Sequence, residues 1–519
     1  MGLLIDRIKK SQFTHQIFFG FAAVFACFCA SCGSITSSLT SAPPPASVQS
    51  LTAADVSALV QSAAQAADPN TMVITVVDRS GNVLGVYRKP SAPTLVAGNF
   101  SAQVDANDLA VSLARTAAFF SNDQAPLSSR TVRFISGIHF PPGVANTSNA
   151  PLYGIENTNR GCALSSTFIA GQSVPPARSI TGATTGLGIA TGKADVSDSD
   201  ESAVNPGGVP LFRNGSLVGG IGVAGVAPDV AEYSAYVAAT SNGFGPTPPS
   251  PGVVFINGIA LPYVNQTARP SSVGAGTFTG SFIAGPTASP GTPPDGMMVA
   301  PAPGPLGGLA ASDVTTIINN AIATANKTRA VIRLPIGSSA RMAIAVSDLD
   351  GTIIGLYRMA DSTVFSIDVA ASKARNMVYF SGGARSASDL TGVPMGTAVT
   401  NRTIGYGAQP FFPPGVNGSA TGPFFNLYVQ DAANPCTQGF QVAGPNQSGI
   451  VFFPGSVPLY RNGILVGGLG VSGDGVDQDD YVASGGSAGF EAPTSIRADQ
   501  IVVQGVRLPY LKFPSNPTN

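Results

Sequence analysis

The two halves of this chain carry the same succession of short motifs, so its fold must use one structural unit twice. Leu51-Thr-Ala-Ala-Asp-Val56 returns as Leu309-Ala-Ala-Ser-Asp-Val314. Thr75-Val-Val-Asp-Arg-Ser-Gly-Asn-Val-Leu-Gly-Val-Tyr-Arg88 returns as Ala345-Val-Ser-Asp-Leu-Asp-Gly-Thr-Ile-Ile-Gly-Leu-Tyr-Arg358. Arg115 to Ser121 matches Arg375 to Ser381, and Phe140-Pro-Pro-Gly-Val144 matches Phe412-Pro-Pro-Gly-Val416. Gly207-Gly-Val-Pro-Leu-Phe-Arg-Asn-Gly215 matches Gly455-Ser-Val-Pro-Leu-Tyr-Arg-Asn-Gly463, and Leu261-Pro-Tyr263 matches Leu508-Pro-Tyr510. The order never changes, which is the mark of a tandem duplication of about 210 residues. We place the first unit at 51–265 and the second at 305–519. Residues 266–304, dense in Pro, Gly, Ser and Thr, read as a linker.

Each unit begins with an amphipathic helix. Val56, Leu59, Val60, Ala63, Ala64 and Ala67 recur at helical spacing, as do Val314, Ile317, Ile318, Ala321, Ile322 and Ala325. Thr52 with Asp55 resembles a capping box, whereas the second copy has Ala310 at the cap. A hairpin follows, turning at Arg79-Ser-Gly-Asn82 in one copy and Asp350-Gly351 in the other. Second helices are predicted over 105–121 and 368–381. Insertions of irregular sequence cover 122–206 and 382–454. A second hairpin turns at Asn214-Gly215, a type I′ signal. A helix over 228–239 and a closing strand over 253–263 complete the unit. Helices alternating with hairpins predict an α+β fold of two tandem copies, each an antiparallel sheet with packed helices and a long Gly/Pro-rich insertion.

Charge restricts the functions open to such a chain. Its 519 residues carry 27 Lys and Arg against 28 Asp and Glu, a net charge of −1, which argues against nucleic-acid binding. With 2 His in all, a zinc centre built on several histidines is excluded. One of those histidines lies in an N-terminal segment (1–31) that reads as an export signal. Arg7, Lys9 and Lys10 precede an apolar run, Ile17 to Cys29, that is short for a membrane span. It ends Cys29-Ala-Ser-Cys32, which resembles the bacterial lipobox except for Cys29 where Leu is usual. Cys32 is therefore the candidate lipidation site, with 32–50 as a flexible tether. The alternative is an ordinary signal peptide cut at Ala30 or Ser31. The expected location is the bacterial cell envelope, anchored by lipid in the periplasm or at the outer-membrane surface. Cys162 and Cys436 then remain. They follow the Phe-Pro-Pro-Gly-Val motifs at equivalent places, and form either a disulfide between the two insertions or two buried free thiols.

The run from Gly455 to Gly473, followed by Asp474-Gly-Val-Asp-Gln-Asp-Asp480, is similar to the signature of the GlcG/HbpS-like family, also called the haem-degrading domain family. So is a first helix followed by a V-x-D-x-x-G-x-x-x-G-x-x-R hairpin. The first copy departs at Gly222-Val-Ala-Gly225 and Asp229-Val-Ala-Glu232. The resemblance implies a small antiparallel-sheet domain that assembles in pairs, here an intramolecular pseudo-dimer of the two units. It implies haem or another small planar ligand as the candidate cofactor.

Haem iron takes His, Met, Cys or Tyr. His139 has Phe411 as its counterpart, so no histidine site is duplicated. Tyr87 and Tyr357 recur, each followed by Arg88 or Arg358. They are either ligands with a propionate partner or strand-end residues with a snorkelling Arg. Arg115 and Arg375 would hold a carboxylate of the ligand or an Asp of the fold. Gly208 and Gly455 head the glycine-rich hairpins, where glycine marks close approach of a helix or a ligand. Asp474, Asp477, Asp479 and Asp480 are either cation ligands or helix N-terminal carboxylates, and we expect no metal there. No catalytic triad can be built from these residues. The readings in order are a ligand-binding or sensing protein, a structural or partner-binding envelope protein acting through its insertions, and a haem-degrading enzyme.

Overall fold

The computed structural model describes residues 50–98, 103–155, 158, 206–246, 254–293, 295–434, 437–442, 444 and 446–518. The export signal, Cys32, Cys162 and Cys436 lie outside them. In the first half, α1 (Ala53–Ala66) leads into β1 (Val73–Asp78) and β2 (Val83–Arg88). A short hairpin, β3 (Leu95–Ala97) and β4 (Gln103–Asp105), precedes α2 (Ala106–Phe120) and α3 (Ser129–Phe134). Then come β5 (Gly208–Arg213), β6 (Ser216–Ala224), α4 (Pro228–Ser241), β7 (Phe255–Ile256) and β8 (Ile259–Ala260). Two strands follow in the segment read as linker, β9 (Ser281–Ala284) and β10 (Gly296–Val299). The second half runs α5 (Ala311–Ala325), β11 (Met342–Ser347), β12 (Ile353–Arg358), α6 (Phe365–Ser381), α7 (Asn401–Gly407) and α8 (Phe425–Ala433). It ends with β13 (Ser456–Arg461), β14 (Ile464–Gly473), α9 (Val476–Gly486), β15 (Val502–Val503) and β16 (Val506–Arg507).

The result is an α+β architecture with two five-stranded antiparallel sheets, ordered β5-β6-β1-β2-β9 and β10-β12-β11-β14-β13. All six residues of β1 and of β11 are buried, because helices cover both faces of these central strands. Ile74 and Val76 pack against α1 and α4, while Val73 faces α2. In the second half, Ile344 and Val346 face α5 and α9, and Ala343 and Ala345 face α6. Alternate residues of one strand thus serve two cores.

The capping box at Thr52 forms as expected, with Asp55 N–H donating to the Thr52 hydroxyl and Thr52 N–H to the Asp55 carboxylate. At Ala310 only half of it survives, the Ala310 N–H donating to Asp313 at 2.7 Å. Asn214-Gly215 and Asn462-Gly463 both have positive φ, as a type I′ turn requires. The closing strand expected over 253–263 is instead a two-residue hairpin, turning at Asn257-Gly258. The linker's strands lie at the outer edges of the two sheets, where β9 pairs with β2 and β10 with β12. Phe282 sits opposite Tyr87 in that register and contacts its ring.

The strand glycines answer to the helices. A Cβ on Gly220 or Gly222 would lie 2.2 or 2.1 Å from the carbonyl oxygens of Ala114 and Ala110 on α2. Gly468 and Gly470 meet Ala374 and Ala370 of α6 in the same way. Of the two readings of glycine in these strands, close helix approach is the one seen here.

A shared apolar core joins the halves. It unites the end of α2, the segment after it and the inner face of α6, with Phe120 stacked on Phe365 at 4.1 Å between ring centroids. The described parts of the insertions also meet. His139 stacks on its counterpart Phe411, Tyr153 stacks on Tyr428, and Asn417 N–H donates to Asn146 at 2.9 Å.

Candidate functional site

The recurrent arginines hold turns. Arg115 Nε donates to the Gly81 carbonyl at 3.1 Å, and Arg375 Nε donates to the Gly351 carbonyl at 2.9 Å. Each guanidinium therefore fixes the first hairpin of its own half to the central helix. Burial pushes Arg375 down to about 10, against the opposing pull of Asp368 and Asp350. Arg88 donates to Asn107 and to the carbonyls of Ala92 and Pro93, closing the turn that follows β2. Arg358 closes the equivalent turn through the Ser362 carbonyl and pairs with Asp295. Burial, with the nearby Arg79 charge, pushes it down to about 10.

Tyr87 is fully buried, stacked on Phe278 at 4.9 Å and edge-on to Phe282 at 5.3 Å. Burial raises its phenol, whose oxygen has no hydrogen-bond partner. Tyr357, half-buried, lies opposite Met297 of β10. The two tyrosines sit on separate sheets and form no common site. Gly208 donates its N–H to Ser129 and lies against the Leu113 carbonyl. His139 is wedged between Phe411 and the Thr147 carbonyl, 3.3 Å from Nδ1.

Arg375 alone of these residues borders a large cavity. A cleft of about 780 Å³ opens over the C-terminal half of α6. Its lining includes Val378, Tyr379 and Gly383 at the end of α6, Leu349 and Ile464 from the two hairpins, and Gln438, Val442 and Gln447 from the second insertion. The size is in the range of small-molecule sites. Tyr379 donates to Asp389 at 2.5 Å, and burial with that bond pushes its phenol well above the usual range. Gln438 and Gln447 are buried yet keep one unpaired amide atom each, Nε2 and Oε1. These glutamines belong to the second insertion, and neither repetition nor periodicity marks them in the sequence.

A second polar centre lies deeper. Lys373, in the middle of α6, donates to the Val471 carbonyl at 2.8 Å and to Asp479 at 3.1 Å. Its ammonium also sits 5.0 Å from the Phe453 ring centroid. Gly455, at φ +122°, makes room for the pair, since a Cβ there would lie 2.5 Å from Lys373 Nζ and 2.6 Å from Asp479 Cβ. The other acidic residues of this run are paired too: Asp474 with Arg333, Asp480 with Arg402, and Asp477 with both Arg402 and Lys512. They anchor the start of α9 to the insertion helix α7 and to the segment before β11. Among the described residues no group of three His, Cys, Asp or Glu is placed to hold a metal. Among them also, no helix is long and apolar enough to cross a membrane.

An iron-ligated haem does not fit at Tyr87, Tyr379 or His139. Tyr87 is covered by two phenylalanines, Tyr379 is committed to a carboxylate that disfavours its phenolate, and His139 lies in the joint between the insertions.

Solved structures similar to part of the chain include the following two. The crystal structure of a PduOC:heme complex is 22% identical, covering 35% of this chain and 95% of that one, with a TM-score of 0.23. Klebsiella pneumoniae protein ORFY is 18% identical, covering 34% and 88%, with a TM-score of 0.22. Likeness at this level says nothing of a ligand in this chain. No curated protein matches. Residues 309–488, which include Lys373, Arg375, Gly455 and Asp479, match the family model described as haem degrading protein HbpS-like.

Proposed function

We propose that this chain is an exported, lipid-anchored small-molecule-binding protein whose ligand occupies the cleft over the C-terminal half of α6. The cleft itself carries the reading: about 780 Å³, apolar lining residues such as Val378 and Leu349, and two buried lining glutamines with unsatisfied amide atoms. The described family of residues 309–488 makes haem or a related planar molecule the ligand to try first. The cleft favours a planar ring held by contact and by edge hydrogen bonds, without a bond from protein to iron.

The two halves pair in this reading as a pseudo-dimer, and the cleft is lined by the second half. Stacking of the counterparts His139 and Phe411 supports it. The insertions therefore have structural work as well, which favours their role in joining the halves over capture of a separate partner.

Absorbance titration of the full chain with haemin, and with metal-free protoporphyrin, tests the proposal. Saturable binding of both at one per chain, with similar affinity and no axial-ligand signature, is expected. Non-saturating responses to both would retire it. Binding of haemin alone, with a six-coordinate spectrum, would contradict the ligation-free part.

A further inference from the structure

The duplication supplies an internal control for the buried Lys373–Asp479 pair. Counting from Arg115 and Arg375, the counterpart of Lys373 is Leu113; counting from Gly225 and Gly473, that of Asp479 is Ala231. The first half builds a five-stranded sheet of the same strand order with an apolar pair at these places. There Gly207 lies beside the Ala231 methyl, where Gly455 lies beside the ion pair. The fold of the unit therefore does not require a buried charge, and replacing such a pair with apolar residues is often neutral or stabilising.

The pair is also incompletely satisfied. Asp479 Oδ2 accepts from Lys373, but Oδ1 has no partner. Asp479 lines a small space of about 30 Å³, room enough for a water molecule. The walls of this space come from both halves: Phe120, Leu127, Ile135 and Ile256 from the first, Phe365 and Phe453 from the second. We propose that Lys373 and Asp479 form a proton-responsive pair set into the joint between the halves, so that the joint's stability depends on the protonation of Asp479.

The charged groups bearing on the pair are all in the second half. They are Asp474 and Asp480 beside Asp479, and Arg402 on α7; the first half presents only apolar side chains. Burial pushes Asp479 up to about 7, opposed by Lys373 and reinforced by Asp480 and Asp474. Burial pushes Lys373 down. For an acid raised on folding, the folded state holds the extra proton. Its stabilising contribution is full below the unfolded value of 3.8 and is lost as pH rises through about 7. The lowered Lys373 acts in the opposite sense, and only above its folded value.

The test is the pH dependence of unfolding of the full chain, for wild type and for the Lys373→Leu/Asp479→Ala double variant, which installs the first half's own residues. Between pH 4.5 and 7.5 the wild-type folding constant should fall relative to the variant's by on the order of a hundredfold. Asp479→Asn, which keeps the shape without titrating, should remove the same slope. Hydrogen exchange should report the change at residues 120–135 and 473–479. Equal slopes in wild type and both variants would overturn the proposal, as would a pH effect confined to segments away from the joint.

Discussion

Asp361 gathers charges from both halves onto one carboxylate, and its replacement by Asn tests whether the joint is held by that gathering. Arg79 of the first half and Arg333 of the second each approach it at 2.5 Å. The Asp123 N–H donates to it at 3.1 Å. Arg79 also pairs with Asp123, and Arg333 with Asp474, so the five charges form one bridge across the halves. The two arginines hold Asp361 below the usual carboxylate range against the burial that raises it. Asp361 has φ +60°, a conformation that Asn tolerates, so Asp361→Asn perturbs charge and not backbone. Its amide can accept at one end only, and turns an N–H₂ toward a guanidinium at the other. At least one charge-assisted bond is lost, and the Arg333 side chain is 1% exposed. The expected cost is about 2–4 kcal/mol. Equilibrium urea denaturation followed by circular dichroism would measure it, with Arg79→Met and the double variant completing a cycle. A coupling of at least about 1 kcal/mol between the two sites is expected. A cost below about 0.5 kcal/mol, or additive single effects, would refute the idea that this bridge holds the joint.

Other expectations concern single residues. Gly208→Ala places a Cβ 2.3 Å from the Leu113 carbonyl and should cost about 1–3 kcal/mol in thermal or urea unfolding. Arg115→Met and Arg375→Met should each speed hydrogen exchange at the turn their guanidinium holds, around Gly81 and Gly351 respectively, and leave the other half's turn unchanged. Cys32→Ala should abolish incorporation of labelled fatty acid into the chain; retained labelling would place the anchor elsewhere. Two titratable thiols at Cys162 and Cys436 under non-reducing denaturation would exclude a disulfide between the insertions, and none would establish it.

Repetition made the architecture legible. A motif that returns in order with its glycines and turn residues intact marks elements whose backbone geometry needs them, as Asn214-Gly215 and Asn462-Gly463 do. The edge strands β9 and β10 were less visible. Each spans four residues and pairs along one side only, so hydrophobic alternation is brief and Pro and Gly around it read as spacer. The Tyr-Arg pairs carried an ambiguous signal, because an arginine that closes a turn recurs as faithfully as one that would hold a ligand. Asp479 stood out as part of an acidic run read as cation ligands or helix N-terminal carboxylates, whereas its partner Lys373 was visible only as a departure between the copies. A lysine on an otherwise apolar helical face, where the other copy has Leu113, is that signal. The glutamines of the cleft fall in the second insertion, and their place beside the end of α6 in one cleft is a product of tertiary packing alone.

The most direct test of the binding account is a ligand titration repeated on Gly383→Phe. Gly383 lines the cleft, and a Cβ there meets nothing within 4 Å, so a ring can be added at the cleft without a clash at Cβ. A loss of at least about tenfold in protoporphyrin affinity, with unchanged thermal stability, is predicted, since a blocked pocket costs at least the 1.4 kcal/mol that tenfold represents. Unaltered affinity in the folded variant would contradict the account and place any ligand outside this cleft.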